Sequence, residues 1–193
     1  IIFILIFHSK DLTSTKGIGV FKFQIQVKIT NHCIDMVIYS AFLKVIILAA
    51  AAASVLLASA AKAEALGIKP LAYIRGHSTF AHAPEWFTTA PVGAIKNLQE
   101  KLGWSNDDVD LYEINEAFAA QVLACTRALG LQDRDARINP NGGAISLGHP
   151  LGMSGARLLL TAARQLKRSN KRYALVTMCI GVGQGYAAII ERV

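Results

Sequence analysis

The sequence predicts an α/β fold for residues 49–193, in which a mixed sheet is flanked by helices. Short apolar runs that suit strands alternate there with stretches of helical periodicity, which is typical of a layered α/β domain. The last two apolar runs are separated only by the turn GVGQG, so they can pair as an antiparallel hairpin. A chain of 193 residues can bury one such core without disulfides or metals.

In the first half of this domain, the sequence pattern predicts two strands and two helices. The run AAAASVLLAS suits a buried strand, and AAKAEALG suits a helix that ends at Gly67. A second strand, KPLAYIRGHS, leads into the loop TFAHAPEWFTTAP. Pro91 suits the first turn of the next helix, for which Thr88 or Thr89 is the expected cap and Gly103 the expected end.

The second half repeats the scheme. DVDLYEI predicts a strand, and NEAFAAQVLACTRALG predicts a helix that begins near Asn115 and is closed by Gly130. A glycine-rich turn then precedes a helix, and RYALVTMCI and YAAIIERV predict the hairpin strands. Five apolar residues of that last helix share one face suited to packing on a sheet: Leu158, Leu159, Ala162, Ala163 and Leu166.

Residues 1–48 differ from the rest and are treated as a separate, unmatched segment. Alternation of apolar and polar residues from Val20 to Ile29 predicts an edge strand, but no catalytic constellation lies there. Residues 45–61 carry no charge, yet they are rich in alanine and shorter than the about twenty residues that span a membrane. We therefore expect a buried strand and helix, with a membrane anchor as the alternative. Because the sequence begins with Ile, we expect further residues to precede it.

Charge and cysteine content limit the partners. The net charge of +7 is densest in RQLKRSNKR, where the cations end a predicted helix and no aromatic residues are interleaved, so nucleic acid is not expected as a partner. Cys33, Cys125 and Cys179 are odd in number and lack metal-binding spacing, which predicts neither a disulfide framework nor a metal site. A reducing, cytoplasmic location follows as the expectation.

Three residues that can carry chemistry lie where strands meet turns: Asn115, His149 and Cys179. Imidazole and thiol can both act as acid and base near neutral pH, and backbone N–H groups of the CIGVGQG turn can face a developing oxyanion. Each residue also has a structural explanation, because Asn115 could cap a helix, His149 could be structural and Cys179 could be an inert buried thiol. GVGQG is not a dinucleotide motif, since no helix follows it.

NEAFAAQ, NPNGGAISLGHPLGMSGAR and CIGVGQG, in this order and at these separations, resemble the C-terminal half of the thiolases. The resemblance covers residues 50–193. It implies a layered, two-fold repeated α/β fold and an acyltransferase that cleaves or forms 3-ketoacyl-CoA through an acyl-cysteine. It implies acyl-CoA and CoA as partners, no separate cofactor, and a dimer or tetramer. The two glycine-rich segments are similar to those of degradative thiolases, of the ketoadipyl-CoA or general 3-ketoacyl-CoA type.

The resemblance also implies roles for individual residues. His149 would activate the nucleophilic cysteine and hold the thioester oxygen, and Cys179 would act as acid and base at the substrate α-carbon. Asn115 would position a water that completes one oxyanion hole, and the backbone N–H of Gly181 would serve the other. Two residues would lie beside the acyl group: Ala117 and Phe118.

The main departure from the family is the nucleophile. The only cysteine upstream of the matched region is Cys33, in NHCIDMV, whose surroundings do not resemble the family's nucleophile segment. The CoA-binding stretch that should precede the matched region is replaced by YSAFLKVIIL. We therefore expect a truncated thiolase that is inactive alone, with residues 1–48 arising from a faulty gene model or frameshift.

Two other functions remain open at this point. A β-ketoacyl synthase shares the fold and a similar histidine motif, although its second catalytic position is a histidine where this chain has Cys179. A non-catalytic thiolase-like module that binds lipid or assembles with partners is also compatible with the missing nucleophile.

Overall fold

The computed structural model describes residue 53 and residues 55–193 in full, and only the backbone of three strands before them. Those strands are β1 (Ile4–Phe7), β2 (Phe23–Ile29) and β3 (His32–Ile38). The strand predicted from Val20 to Ile29 thus corresponds in part to β2. Much of the uncharged run at residues 45–61, and the side chain of Cys33, lie outside the described residues.

The fully described part alternates strands and helices, as the sequence predicts. Two short 3-10 turns also occur, at Pro84–Thr89 and Asn106–Asp108. The remaining elements are, in chain order, β4 (Leu56–Ser59), α1 (Ala60–Ala65), β5 (Ala72–Ala81), α2 (Ala90–Leu102), β6 (Leu111–Ile114), α3 (Ala119–Ala128), α4 (Ala144–Leu147), α5 (Leu151–Ser169), β7 (Tyr173–Gly181) and β8 (Gln184–Arg192).

The main sheet is mixed and has the strand order β4-β1-β5-β8-β7-β6. β6 pairs with β7 in parallel, whereas β8 is antiparallel to both β7 and β5. β1 lies in parallel between β4 and β5. β2 and β3 form a separate antiparallel pair. The predicted mixed sheet and its terminal β7–β8 hairpin are both confirmed.

Both faces of the sheet are buried at β7 and β8, which explains why the middle of each of these strands is continuously apolar rather than alternating. On β7, Ala174 and Val176 face the core beneath α5, while Leu175 between them faces the core beneath α2. Ile190 and Ile189 of β8 divide in the same way. The domain is therefore a helix, sheet and helix sandwich.

The long helix α5 packs on the sheet through the face that its sequence predicts. Leu158, Ala162, Ala163 and Leu166 are buried, and Leu159 is partly buried against the same core. The helix begins directly after Pro150 and ends at Asn170, whose left-handed backbone (φ 53°) terminates it. Basic residues in its last turn interact favourably with the negative end of the helix dipole, as the sequence predicts.

The cap predicted at Asn115 is wrong, and the cap predicted at Thr89 is confirmed in position but makes no capping hydrogen bond. α3 begins at Ala119, four residues after Asn115, and the backbone N–H of Asn115 still bonds to Thr177 of β7 at 3.0 Å. Asn115 therefore prolongs the strand pairing instead of starting a helix. Thr89 does precede α2, but its hydroxyl donates to the Trp86 carbonyl and caps nothing.

The surface charges have structural partners. In the basic cluster that ends α5, Arg172 donates to Glu191 at 2.7 Å, and Arg168 donates to Asn141 at 2.8 Å. Both contacts fit the interpretation of this cluster as a solvated helix end. No helix within the described residues is long and apolar enough to cross a membrane.

Gly185 and Gly155 are expected to respond to alanine in opposite directions. A Cβ at Gly185 would lie 2.5 Å from the backbone of Ala90, where α2 crosses β8, whereas a Cβ at Gly155 would only touch Met178 at 3.5 Å. We expect Gly185→Ala to lower the free energy of unfolding by about 1–3 kcal/mol. Gly155→Ala, inside α5, should raise it by about 0.5–1 kcal/mol. Urea denaturation measures both, and equal effects would contradict the close packing of α2.

Candidate active site

Parallel pairing of β6 and β7 brings their carboxyl ends to one edge of the sheet. Ile114 pairs with Thr177, and the next residue of β6, Asn115, donates its backbone N–H to the Thr177 carbonyl. Cys179 lies two residues further along β7 and is buried. The structure therefore places Asn115 and Cys179 at the same sheet edge, although 64 residue positions separate them in the sequence.

His149 reaches this edge from the glycine-rich turn. The amide nitrogen Nδ2 of Asn115 lies 3.1 Å from Nε2 of the imidazole. Asn115 is fully buried, and its Oδ1 has no hydrogen-bond partner among the described residues. The contact shows what the asparagine side chain does here: it faces the histidine and not a helix N-terminus.

The other imidazole nitrogen is held by the first turn of α5. Nδ1 lies 2.6 Å from the hydroxyl of Ser154, which itself lies 3.2 Å from the Pro150 carbonyl. Gly148 makes the turn before the histidine with φ 91°, a conformation that residues with a side chain rarely adopt. The two neighbours of His149, a glycine and a proline, thus direct the ring between β6 and α5.

Burial keeps both candidate acid–base groups neutral. It lowers the pKa of His149, and the positive charge of Arg157 lowers it further. Burial also raises the pKa of the Cys179 thiol. At pH 7 the site therefore holds a neutral imidazole able to accept a proton and a protonated thiol able to donate one.

Two buried ionisable side chains, Glu113 and Arg157, lie near the histidine. The carboxylate of Glu113 and the guanidinium of Arg157 are inaccessible, and none of their five polar atoms has a hydrogen-bond partner in the described part of the chain. Desolvation raises the pKa of Glu113 to about 7, despite the opposing charge of Arg157. The ionised state of this carboxyl is consequently unfavourable in the fold.

The glycine-rich turn is clamped to the end of β6 by Asn139 and Glu116. The Asn139 side chain accepts from the Ile114 N–H at 2.8 Å and donates to the Ile114 carbonyl at 2.9 Å, as a neighbouring strand would. It also donates to Glu116, whose other oxygen accepts from the Ile145 N–H at 3.0 Å. A Cβ at Gly143 would lie 2.1 Å from this carboxylate, so a larger residue there would displace Glu116 from both of its hydrogen bonds.

The turn between β7 and β8 lies next to Cys179 and forms the remaining backbone of the site. The pairing register shifts between Cys179 and Gly181, and Gly181 has φ 103°. This irregular backbone is where the sequence predicted an oxyanion-binding N–H. Large apolar side chains around the site are exposed: Trp86, Phe118, Ile145, Leu147, Leu151, Ile180 and Val182.

The other residues singled out from the sequence make no hydrogen bond to Asn115 or His149 among the described residues. Ala117 is half-buried and Phe118 is 59% exposed, both between β6 and α3. The thiol of Cys125 is buried in α3, donates to the Thr88 carbonyl at 3.7 Å, and has a pKa raised by burial. No group of metal-ligating side chains occurs among the described residues.

Sequence reasoning missed five residues that shape the site. Glu116, Ser154 and Arg157 lie inside the segments that it singled out, but their roles depend on partners distant in sequence. Asn139 carried the clearest signal, because an asparagine before a proline favours a turn. The fifth residue is Glu113, whose carboxyl group is buried.

Asn139→Ala tests the clamp. It removes two bonds to the Ile114 backbone and one to the Glu116 carboxylate, and it places alanine at φ 44°. We expect the free energy of unfolding to fall by about 2–4 kcal/mol. Asn141→Ala, two residues on and exposed, should change it by less than about 0.5 kcal/mol. Similar values for the two variants in chemical denaturation would contradict the clamp.

Glu113→Gln tests the buried carboxyl. With a pKa of about 7 in the fold and 4.5 as its ordinary value, Glu113 holds its proton longer when folded, so its contribution to stability is lost as the pH rises through about 7. Wild type should therefore lose up to about 3 kcal/mol relative to Glu113→Gln between pH 4.5 and 7.5. Exposed Glu100→Gln should show no such trend. A difference independent of pH would contradict the assignment.

Comparison with known proteins relates this domain, with its three motifs, to one protein family. A family description named "Thiolase, C-terminal domain" matches residues 68–192. The chain is 58% identical over 126 residues to the beta-ketoadipyl-CoA thiolase of Acinetobacter baylyi, covering 65% of this chain and 31% of that protein. It is 54% identical over 137 residues to the 3-oxoadipyl-CoA/3-oxo-5,6-dehydrosuberyl-CoA thiolase of Escherichia coli, covering 71% and 34%.

A solved structure agrees with these sequence relatives. The chain superimposes on the crystal structure of the Bacillus anthracis acetyl-CoA acetyltransferase with a TM-score of 0.67 and 41% identity, over 70% of this chain and 34% of that one. The chain thus spans about a third of the length of the proteins it matches. From the matched domain, its three motifs and this shared fold, we conclude that the chain belongs to the thiolase family.

Proposed function

We propose that this chain provides the acid–base half of a thiolase active site, acting on 3-ketoacyl-CoA thioesters. The observation that carries the proposal is the Asn115–His149 hydrogen bond at the sheet edge that also holds Cys179. A neutral base, a protonated thiol and an amide donor together suit chemistry at the carbon next to a thioester.

In thiolysis the three groups would act in sequence. A cysteine thiol outside the described site gives its proton to Nε2 of His149 and attacks the 3-keto carbonyl. The bond between C2 and C3 then breaks, and its electron pair becomes the enolate of acetyl-CoA. The Cys179 thiol protonates C2 of that enolate and becomes a thiolate. The CoA thiol then gives its proton to the Cys179 thiolate and attacks the acyl-cysteine, and the released nucleophile thiolate takes back its proton from Nε2 of His149. The synthetic direction reverses each step.

Oxyanion stabilisation would come from two sides of the substrate. Asn115 and the protonated Nε2 of His149 converge on one oxygen, with a water positioned by the asparagine. The backbone N–H of Gly181, where the pairing of β7 and β8 is irregular, would serve the other. Removal of one such donor costs about 10²–10³ in kcat in enzymes that use them. Ala117 and Phe118 would flank the acyl group, and no cofactor beyond the CoA thioester is required.

The nucleophile is proposed to come from thiolase sequence that this chain does not contain. Cys125 is not proposed as the nucleophile, because it is buried in α3, where its thiol accepts from the Gln121 side chain and donates to the Thr88 carbonyl. The exposed apolar side chains around the site suit contact with further protein. We expect the complete enzyme to be a cytoplasmic homo-oligomer, with residues 49–193 as its C-terminal domain.

A chimera tests the proposal directly. Residues 68–193 of this chain would replace the corresponding part of the A. baylyi thiolase, which is 58% identical in the matched region. CoA-dependent loss of 3-ketoadipyl-CoA and of acetoacetyl-CoA is then measured. We expect turnover by the chimera and none by this chain alone. His149→Ala or Cys179→Ala in the chimera should lower kcat by about 10²–10⁴.

Controls separate the alternatives. Asn141→Ala, in the same turn but bonded to Gln165 and Arg168 of α5 rather than to His149 or Asn115, should leave the chimera active. Binding of acyl-CoA without turnover by a folded chimera would favour a non-catalytic module. Turnover by this chain alone, lost in both His149→Ala and Cys33→Ser, would contradict an external nucleophile.

A further inference from the structure

We propose that Ser154 is a positioning residue that fixes His149 in a single neutral tautomer, with its proton on Nδ1 and a free electron pair on Nε2. The inference rests on hydrogen-bond geometry, and its catalytic consequence rests on the proposed function. Neither the sequence motifs nor the roles implied by the family resemblance assign this serine a function.

The contact with Asn115 requires the free electron pair of the His149 ring to be on Nε2. The group 3.1 Å from Nε2 is the amide nitrogen of Asn115, which carries two hydrogens and no acceptor orbital. A hydrogen bond across this contact therefore requires Nε2 to accept. In a neutral imidazole only one nitrogen accepts, so the ring proton belongs on Nδ1.

The hydroxyl oxygen of Ser154 accepts the hydrogen bond that the protonated Nδ1 of His149 donates. The Ser154 hydroxyl has one hydrogen, and the Pro150 carbonyl, 3.2 Å away, can only accept it. The same oxygen is then left to accept from Nδ1–H, at 2.6 Å. The three contacts form one directed chain, which runs from the Asn115 amide through His149 and Ser154 to the Pro150 carbonyl.

The fold keeps the serine in place. Ser154 is completely buried in the first turn of α5, and its backbone N–H also bonds to the Pro150 carbonyl, at 3.1 Å. Pro150 has its φ restrained at −67° by its ring. Side chain and backbone of Ser154 thus share one acceptor, which leaves the hydroxyl little freedom to turn its hydrogen toward the imidazole.

This arrangement suits a base that must act repeatedly. When Nε2 takes a proton from a nucleophilic thiol, Nδ1–H continues to donate to Ser154, so the imidazole ring keeps its orientation. The Asn115 amide, which can only donate, then loses its bond to Nε2 and is released toward the substrate oxygen. With the proton on Nε2 instead, the ring would present no electron pair to that thiol. Loss of Ser154 should accordingly lower kcat of the chimera and leave KM unchanged.

Nitrogen NMR of the full chain tests the tautomer without any assay of activity. The protein is labelled with ¹⁵N-histidine, the His149 signals are assigned by their absence in His149→Asn, and long-range ¹H–¹⁵N correlations distinguish protonated from bare ring nitrogens. We expect wild type to show Nδ1 protonated and Nε2 bare. A proton on Nε2 would mean that the amide oxygen of Asn115 faces the ring, and would overturn the proposal.

The serine itself is tested by substitution. Ser154→Ala should lose the single-tautomer pattern, whereas Ser146→Ala should keep it, because Ser146 also donates to a backbone carbonyl of the turn but does not contact His149. An unchanged pattern in Ser154→Ala would overturn the role of the serine. If that variant fails to fold, Ser154→Cys keeps the approximate volume with a weak acceptor and should show the same loss. An inactive chimera with the expected spectra would reject only the proposed function.

Discussion

The geometry of the site depends on how the end of β6 is held between two neighbours. On one side, β7 accepts the backbone N–H of Asn115, and on the other, the Asn139 side chain bonds to both polar groups of Ile114. A strand end without the second neighbour would expose these groups at a sheet edge. The backbone at Ile138 forms a parallel bridge with Tyr112 of β6, and the Asn139 side chain extends this pairing by one step. The two together fix the glycine-rich turn relative to β6.

The contacts of Asn139 with β6 also help to position His149, through Glu116 and the short helix α4. Glu116 accepts from Asn139 and from the Ile145 backbone, which anchors the short helix α4 at the entrance of the turn. From there the chain reaches His149 through the left-handed Gly148. The imidazole is then held from both sides, by β6 through Asn115 and by α5 through Ser154, so its orientation follows from two rigid elements.

Burial explains the electrostatics of the site more simply than any specific charge. Desolvation is the largest cause of the pKa shifts of Glu113, His149 and Cys179, and in each case it favours the neutral form. Arg157 is the nearby cation whose charge acts on both Glu113 and His149. A buried polar atom without a partner costs about 1–3 kcal/mol, so this part of the fold is maintained at the expense of stability.

The sequence by itself determined the types of the main elements, the mixed sheet with its terminal hairpin and the family, because periodicity, glycine and proline positions and three motifs are local properties. It placed Asn115, His149 and Cys179 as candidates on the same grounds. It misplaced the start of α3, since continued pairing with β7 outweighs the capping preference of an asparagine. Only the tertiary structure decided that Asn115 contacts His149 and that Ser154, Asn139 and Glu116 support them. Those contacts join residues up to 34 positions apart, and their hydrogen bonds exist only when the sheet and α5 are assembled.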